Sequence, residues 1–189
     1  RGGHPILRLR WCSDKKGKRG ELHLMQTQEV SDLAPAYNFP VKVRVVGRGW
    51  TREFVENVRE KEHRFLWNLP GEPLDVEFDP ELELLASISF QKPQAMWRRQ
   101  LTGGKTAVIR ALAAQAVARW GGEQAVVDLE AAAKRERCWG ASAEIVSALG
   151  DMRGHGAVSA LRRLLGALKH PKVRRVVVEQ LGRRGNAGD

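Results

Sequence analysis

From residue 5 the chain alternates apolar and charged positions. Leu7, Leu9 and Trp11 share one phase and Arg8 and Arg10 the other, the period-two pattern of a strand with one buried face. Ser13–Gly20 is a charged, glycine-containing turn. Leu22 and Leu24 then resume the alternation, so Pro5–Trp11 and Glu21–Thr27 are predicted to pair as a hairpin with a long loop. Val41, Val43 and Val45 alternate with Lys42 and Arg44. Further strands are expected around Arg52–Val58, at Phe65, Trp67 and Leu69, at Val76 and Phe78 between Asp75 and Glu77, and around Leu84–Ile88. About seven short strands with polar outward faces predict a small antiparallel β-sandwich.

Beyond residue 90 the period changes. Pro93 opens a short helix carrying Met96, Trp97 and Leu101. Thr106–Trp120 is Ala-rich and stops at Gly121-Gly122, a glycine C-terminal signal. Glu123–Arg137 follows, then Ala141–Leu149, stopping at Gly150. Gly156–Lys169 places Val158, Leu161, Leu164, Leu165 and Leu168 on one stripe. Pro171 opens a last helix with Val173, Val176, Val177 and Leu181 on its stripe, closed by Gly182. Trp120-Gly121, Leu149-Gly150 and Leu181-Gly182 read as equivalent helix ends, 29 and 32 residues apart. A helical pair recurring at about thirty residues predicts a HEAT/armadillo-like α-solenoid, its last pair cut short after one helix near Arg184.

Charge sharpens the division. Of 189 residues and a net charge of +10, residues 1–90 balance 14 Lys and Arg against 14 Asp and Glu, whereas residues 91–189 hold 18 against 8. The expected modules are therefore 1–90, an all-β sandwich, and 91–189, all-α repeats truncated at the C-terminus. No apolar run approaches the ~20 residues that span a bilayer, so no membrane is expected as a partner. Two cysteines, Cys12 and Cys138, make no disulfide framework, which suits a cytoplasmic protein.

The candidate chemistry is sparse. There is no HExxH, and none of His4, His23, His63, His155 and His170 has another His or Cys at helical ligand spacing. His4, Cys12 and His23 could converge on one hairpin; the plainer reading is strand-surface side chains. Gly103-Gly104-Lys105-Thr106 imitates the end of a phosphate loop, but Arg99 stands where that motif needs glycine, and the preceding segment reads as helix; a turn into the next helix is expected. A basic cluster of Arg162, Arg163, Lys169, Lys172, Arg174, Arg175, Arg183 and Arg184 offers a polyanion or peptide-carboxylate contact, principally through Arg162, Arg163, Lys172, Arg174 and Arg175. No aromatic interleaves with it in the sequence, and the bland reading is a solvated helix face. Trp11 and Trp67 fall on inward strand phases. Trp97, Trp120 and Trp139 fall near helix ends, where packing between modules is expected; Trp50, beside Gly47 and Gly49, has no assigned place.

The linear order of these features resembles one family. Gly3-His4-Pro5-Ile6-Leu7 resembles the strand that opens the β-sandwich following the catalytic domain of family M1 (aminopeptidase N-like) zinc metallopeptidases. Glu21–Gln28, Phe39-Pro40-Val41, Phe65–Pro73 and Glu77-Phe78-Asp79-Pro80 with Leu84-Leu85 resemble its later strands and turns. Trp97-Arg98-Arg99-Gln100-Leu101 resembles the helix that begins its helical part, and the repeats with Trp139-Gly140 and Val173-Arg174 its HEAT-like helices. The resemblance implies a parent enzyme that removes N-terminal residues from peptides, with its zinc in a catalytic domain upstream of this chain. It implies that the chain itself carries no catalytic residue and no cofactor, and that its partner is that catalytic domain in cis, with peptides reached through the parent. The expected role is to bridge the catalytic domain and shape peptide access. The alternative is a HEAT-repeat scaffold, from a catalytically inactive M1 relative, that binds a protein or nucleic-acid partner.

Overall fold

A computed structural model describes residues 3–14, 18–29 and 36–185. The chain forms two compact units, Arg1–Met96 and Trp97–Asp189.

The first unit contains seven strands: β1 (Ile6–Ser13), β2 (Arg19–Gln26), β3 (Phe39–Gly47), β4 (Trp50–Val58), β5 (Glu62–Asn68), β6 (Pro73–Phe78) and β7 (Ser87–Gln91). They form two sheets, ordered β5-β2-β1-β7 and β4-β3-β6. Pairing is antiparallel except between β1 and β7, which run parallel with Leu9 beside Phe90. Leu7, Leu9, Trp11, Leu22 and Leu24 from one sheet meet Val41, Val43, Val45, Val76 and Phe78 from the other in a single core. The alternation read from the sequence thus selects the inner faces of a sandwich. Trp11 and Trp67 are both in this core and stack on each other, while the Trp50 ring covers Gly47 so closely that no Cβ would fit there.

The last strand begins later than the pattern at Leu84–Ile88 suggests. Asp79, at φ 48°, accepts the amide N–H groups of Glu83 and Leu84 on its two carboxylate oxygens, at 3.0 and 2.9 Å. This turn holds residues 79–84 out of the sheet and leaves Leu85 85% exposed.

The second unit contains α1 (Gln94–Gly103, whose first residues belong to the preceding unit), α2 (Ala107–Trp120), α3 (Glu123–Arg135), α4 (Trp139–Asp151), α5 (His155–Ala167) and α6 (Pro171–Gly185). α2, α4 and α6 pack side by side in one layer, and α3 against α5 in the other. Arg98 reaches Asp128 at 2.8 Å, tying α1 to α3, and Gln100 donates to the Ile109 carbonyl at 3.0 Å, tying α1 to α2. The pairs therefore run α1–α2, α3–α4 and α5–α6, one helix earlier than the glycine spacing suggests. Their register is 32 residues throughout: Trp97, Leu129 and Leu161 are equivalent and buried, as are Ile109, Ala141 and Val173, and Ala113, Ile145 and Val177. This is the architecture of a β-sandwich followed by a HEAT-type α-solenoid.

Of the three glycines expected to end helices, only Gly121 does, at φ 70° with its N–H on the Ala118 carbonyl. Gly150 lies within α4, where its missing side chain lets the buried Gln180 of α6 approach, and Gly182 lies within α6. Among the described residues no helix is long and apolar enough to cross a membrane.

Leu129 is fully buried in the middle repeat. Leu129→Ala should cost about 2–5 kcal/mol, seen as a lower urea midpoint with unchanged slope.

Candidate functional surfaces

Charged residues in the sandwich fall into two groups, one buried and one open. Arg44 of β3 stands in register with Glu53 on one side and Glu77 on the other. It bonds Glu53 at 2.7 Å, the buried Glu77 at 3.0 Å, and Glu81. Lys92 is buried, donating to Asp75 and to the Val76 carbonyl, each at 2.6 Å. Burial pushes the Asp75 carboxyl up to about 6 against the opposing pull of Lys92. Asp75 and Glu77 are thus enclosed, although the alternation at β6 assigns them outward. The reason is tertiary: the cations that cover them come from β3 and from beyond β7. Each charge has an opposite partner, as a buried ion requires.

The outer face of the four-stranded sheet is an open concavity of about 860 Å³. Register sets Arg64, His23, Arg10 and Gln91 in one row across it, and Glu62, Met25, Arg8 and Ser89 in the next. Glu21 takes both Arg64 and His23, and Arg64 holds its carboxyl down at about 2. His4 bonds Ser87 at 2.8 Å, His63 accepts the Arg59 and Glu60 amides at 2.9 Å, and Cys12 lies half-buried across from Glu21. His4 is set apart on Ser87, whereas Cys12 and His23 both adjoin Glu21, and among the described residues no group of three His, Cys, Asp or Glu could hold a metal ion.

In the helical unit, Gly103–Thr106 links α1 to α2. The Gly104 amide bonds the Gln100 carbonyl, and Thr106 caps α2 by accepting the Ile109 N–H. Of the basic cluster, Arg163 of α5 makes a forked pair with Glu130 of α3, at 2.7–3.2 Å, which also takes Lys134 at 2.7 Å. Arg174 donates to the Leu165 and Leu168 carbonyls at the end of α5, and Arg184 to those of Gly150 and Met152 at the end of α4. Arg175 pairs with Glu179 one turn on, at 3.0 Å. Arg162 is exposed on α5. Position 110 repeats this carbonyl capping: Arg110 bonds the Gly104 carbonyl at 2.8 Å, and its equivalents Ser142 and Arg174 reach Ala133 and Leu165.

Sequence proximity gave no aromatic among these cations, but packing supplies one. Trp139, at the start of α4, stacks on His170, with centroids 5.5 Å apart and planes 4° off parallel. The Lys172 ammonium lies 4.4 Å over the same ring. Trp139 stays 46% exposed and Trp120 is also exposed, contrary to the expectation that both pack away. The 32-residue period, once aligned, brings 137–140 opposite 169–172; the coarser spacing of 29 and 32 conceals it.

A family model for HEAT repeats matches residues 96–182. The structure is similar to Legionella pneumophila aminopeptidase A, solved in complex with aspartic acid, at 11% identity and a TM-score of 0.56. The similarity covers 97% of this chain but only 24% of that one, so the chain spans about a quarter of its length. No curated protein matches the sequence.

Two outcomes follow from the ion pairs. Glu130 is held at about 2, chiefly by its bond to Arg163 and against the effect of burial, below an ordinary value of 4.5. A depressed carboxylate adds stability above its unfolded value and loses it as pH falls through its folded one. Arg163→Met should therefore cost up to about 1 kcal/mol at neutral pH, with the gap to wild type shrinking between roughly pH 4.5 and 2 in urea titrations. Asp75→Asn leaves Lys92 buried without its carboxylate and should cost about 3 kcal/mol or more, while Asp75→Leu with Lys92→Met should cost less, by thermal denaturation.

Proposed function

We propose that the chain is the non-catalytic C-terminal part of an M1-type zinc aminopeptidase. The observation that carries this reading is the order of units, a β-sandwich then HEAT-type helices, matched over 97% of the chain to a region of an aminopeptidase structure. The motifs from Gly3 to Leu101 that resemble the M1 sandwich and helical start support it from the sequence side.

In this reading the sandwich bridges an upstream catalytic domain in cis to the solenoid, in the cytoplasm. The helices wall the chamber that peptides must enter, so large folded substrates are excluded by access. Arg162 and Lys172, which hold no acidic partner among the described residues, would meet peptide carboxylates by long-range attraction. The zinc belongs to the catalytic domain: the described residues offer no ligand set that fits it.

The 189-residue chain alone should release no N-terminal residues from aminoacyl fluorogenic substrates and should retain no stoichiometric zinc after dialysis. The coding sequence upstream of Arg1 should contain HExxH with a further glutamate downstream. One tight zinc per chain, turnover by the chain alone, or an upstream sequence without any such motif would each overturn the assignment.

A further inference from the structure

The helical repeats carry a periodic cation that the ion pairs above do not use. Lys105, Arg137 and Lys169 are exposed, stand 32 residues apart, and occupy the same place in the α1–α2, α3–α4 and α5–α6 loops. None has an acidic partner among the described residues. The loops adjoin: Arg110 at the start of α2 pairs with Glu136 in the second loop at 2.6 Å, and Trp139 at the start of α4 stacks on His170 in the third. Neighbouring helices pack about 8–10 Å apart, so the three cations form a line of roughly 20 Å.

Among the described residues, no unpaired acid stands in the three loops. Glu136 is the one acid in the three loops, and its side chain is 3% exposed and neutralised by Arg110. Lys172 adds a fourth cation at the third loop, held against Trp139. A line this long exceeds any compact anion and is about the rise of six stacked nucleotides. The exposed Trp139–His170 stack separates two polyanion classes: an acidic polypeptide needs only the charges, whereas an aromatic stack set among cations can also be extended by a base.

We propose that this loop edge binds single-stranded nucleic acid, its phosphates on Lys105, Arg137 and Lys169 and a base on the exposed Trp139–His170 stack. The proposal is independent of the aminopeptidase reading, since it uses only the helical unit's own surface.

The test is fluorescence anisotropy of a short labelled oligothymidylate with the full chain, between ~50 and ~200 mM salt. Wild type should bind with affinity falling steeply with salt. The triple variant Lys105→Ala, Arg137→Ala, Lys169→Ala should bind about 100-fold more weakly at ~0.1 M salt, with a salt slope shallower by about 2. Trp139→Ala should weaken binding by roughly tenfold with the slope unchanged. All three loop cations are exposed, and circular dichroism should show the variants folded. Arg8→Ala with Arg10→Ala, which removes as exposed a charge from the sandwich, should leave affinity unchanged. No binding by wild type at ~50 mM salt, equal losses in the sandwich and loop variants, or displacement by polyglutamate as readily as by unlabelled oligonucleotide would overturn the proposal.

Discussion

A pair of short amphipathic helices cannot cover its own apolar stripe, and the helical unit is organised around that constraint. Each stripe is closed by the next pair, and Trp97, Leu129 and Leu161 are buried at equivalent places in the three. One register, 32 residues, then governs everything else in the unit. It places Gly150 where Gln180 must pass, puts Arg110, Ser142 and Arg174 where the preceding helix ends with unbonded carbonyls, and brings three loops to one edge. The caps follow from the stacking: a helix end enclosed by neighbours needs donors from them, and a long arginine supplies two at once.

The sandwich meets the same requirement differently. Its two inner faces close on each other, so a period of two is enough to define the core. Its difficulty is charge. β6 carries Asp75 and Glu77 into enclosed positions, and Arg44 and Lys92 arrive there from elsewhere in the chain. Neither anion is tolerable alone; each is acceptable because its cation comes with hydrogen bonds. The parallel pairing of β7 with β1 brings the segment that carries Lys92 back to β6.

The excess of positive charge in the second unit separates into two populations. Arg110, Arg163, Arg174 and Arg184 hold helices together and are largely committed by those bonds. Lys105, Arg137 and Lys169 have no acidic partner among the described residues, and their regular spacing is a consequence of the repeat. An access-shaping region of an aminopeptidase and a nucleic-acid-binding edge make different demands on this unit, the first on its walls and the second on its loops, and the two are compatible in one solenoid.

Much of this was legible in the chain before any packing was known. Alternation in Leu7–Trp11 and Val41–Val45, and the apolar stripes of the later helices, are local consequences of side-chain geometry, so strands, helices, the order of the two architectures and most core residues could be read directly. The glycines were less informative: Gly121 ends a helix through its own backbone, whereas Gly150 serves a neighbour 30 residues away, and the residue type looks the same in both. The start of β7 was hidden by the Asp79 turn. Arg162, Arg163, Lys172, Arg174 and Arg175 are near in sequence, but packing sends Arg163 to Glu130 and Arg174 to carbonyls. Trp139 and Lys172, 33 positions apart, became neighbours only when α4 met α6. The sequence by itself determined the elements and which face of each is apolar, because those depend on residues within one turn or one pleat. Which charges are buried, which are paired and which remain for a partner was decided by the tertiary structure, because an ion's environment is set by whatever distant segment is packed against it.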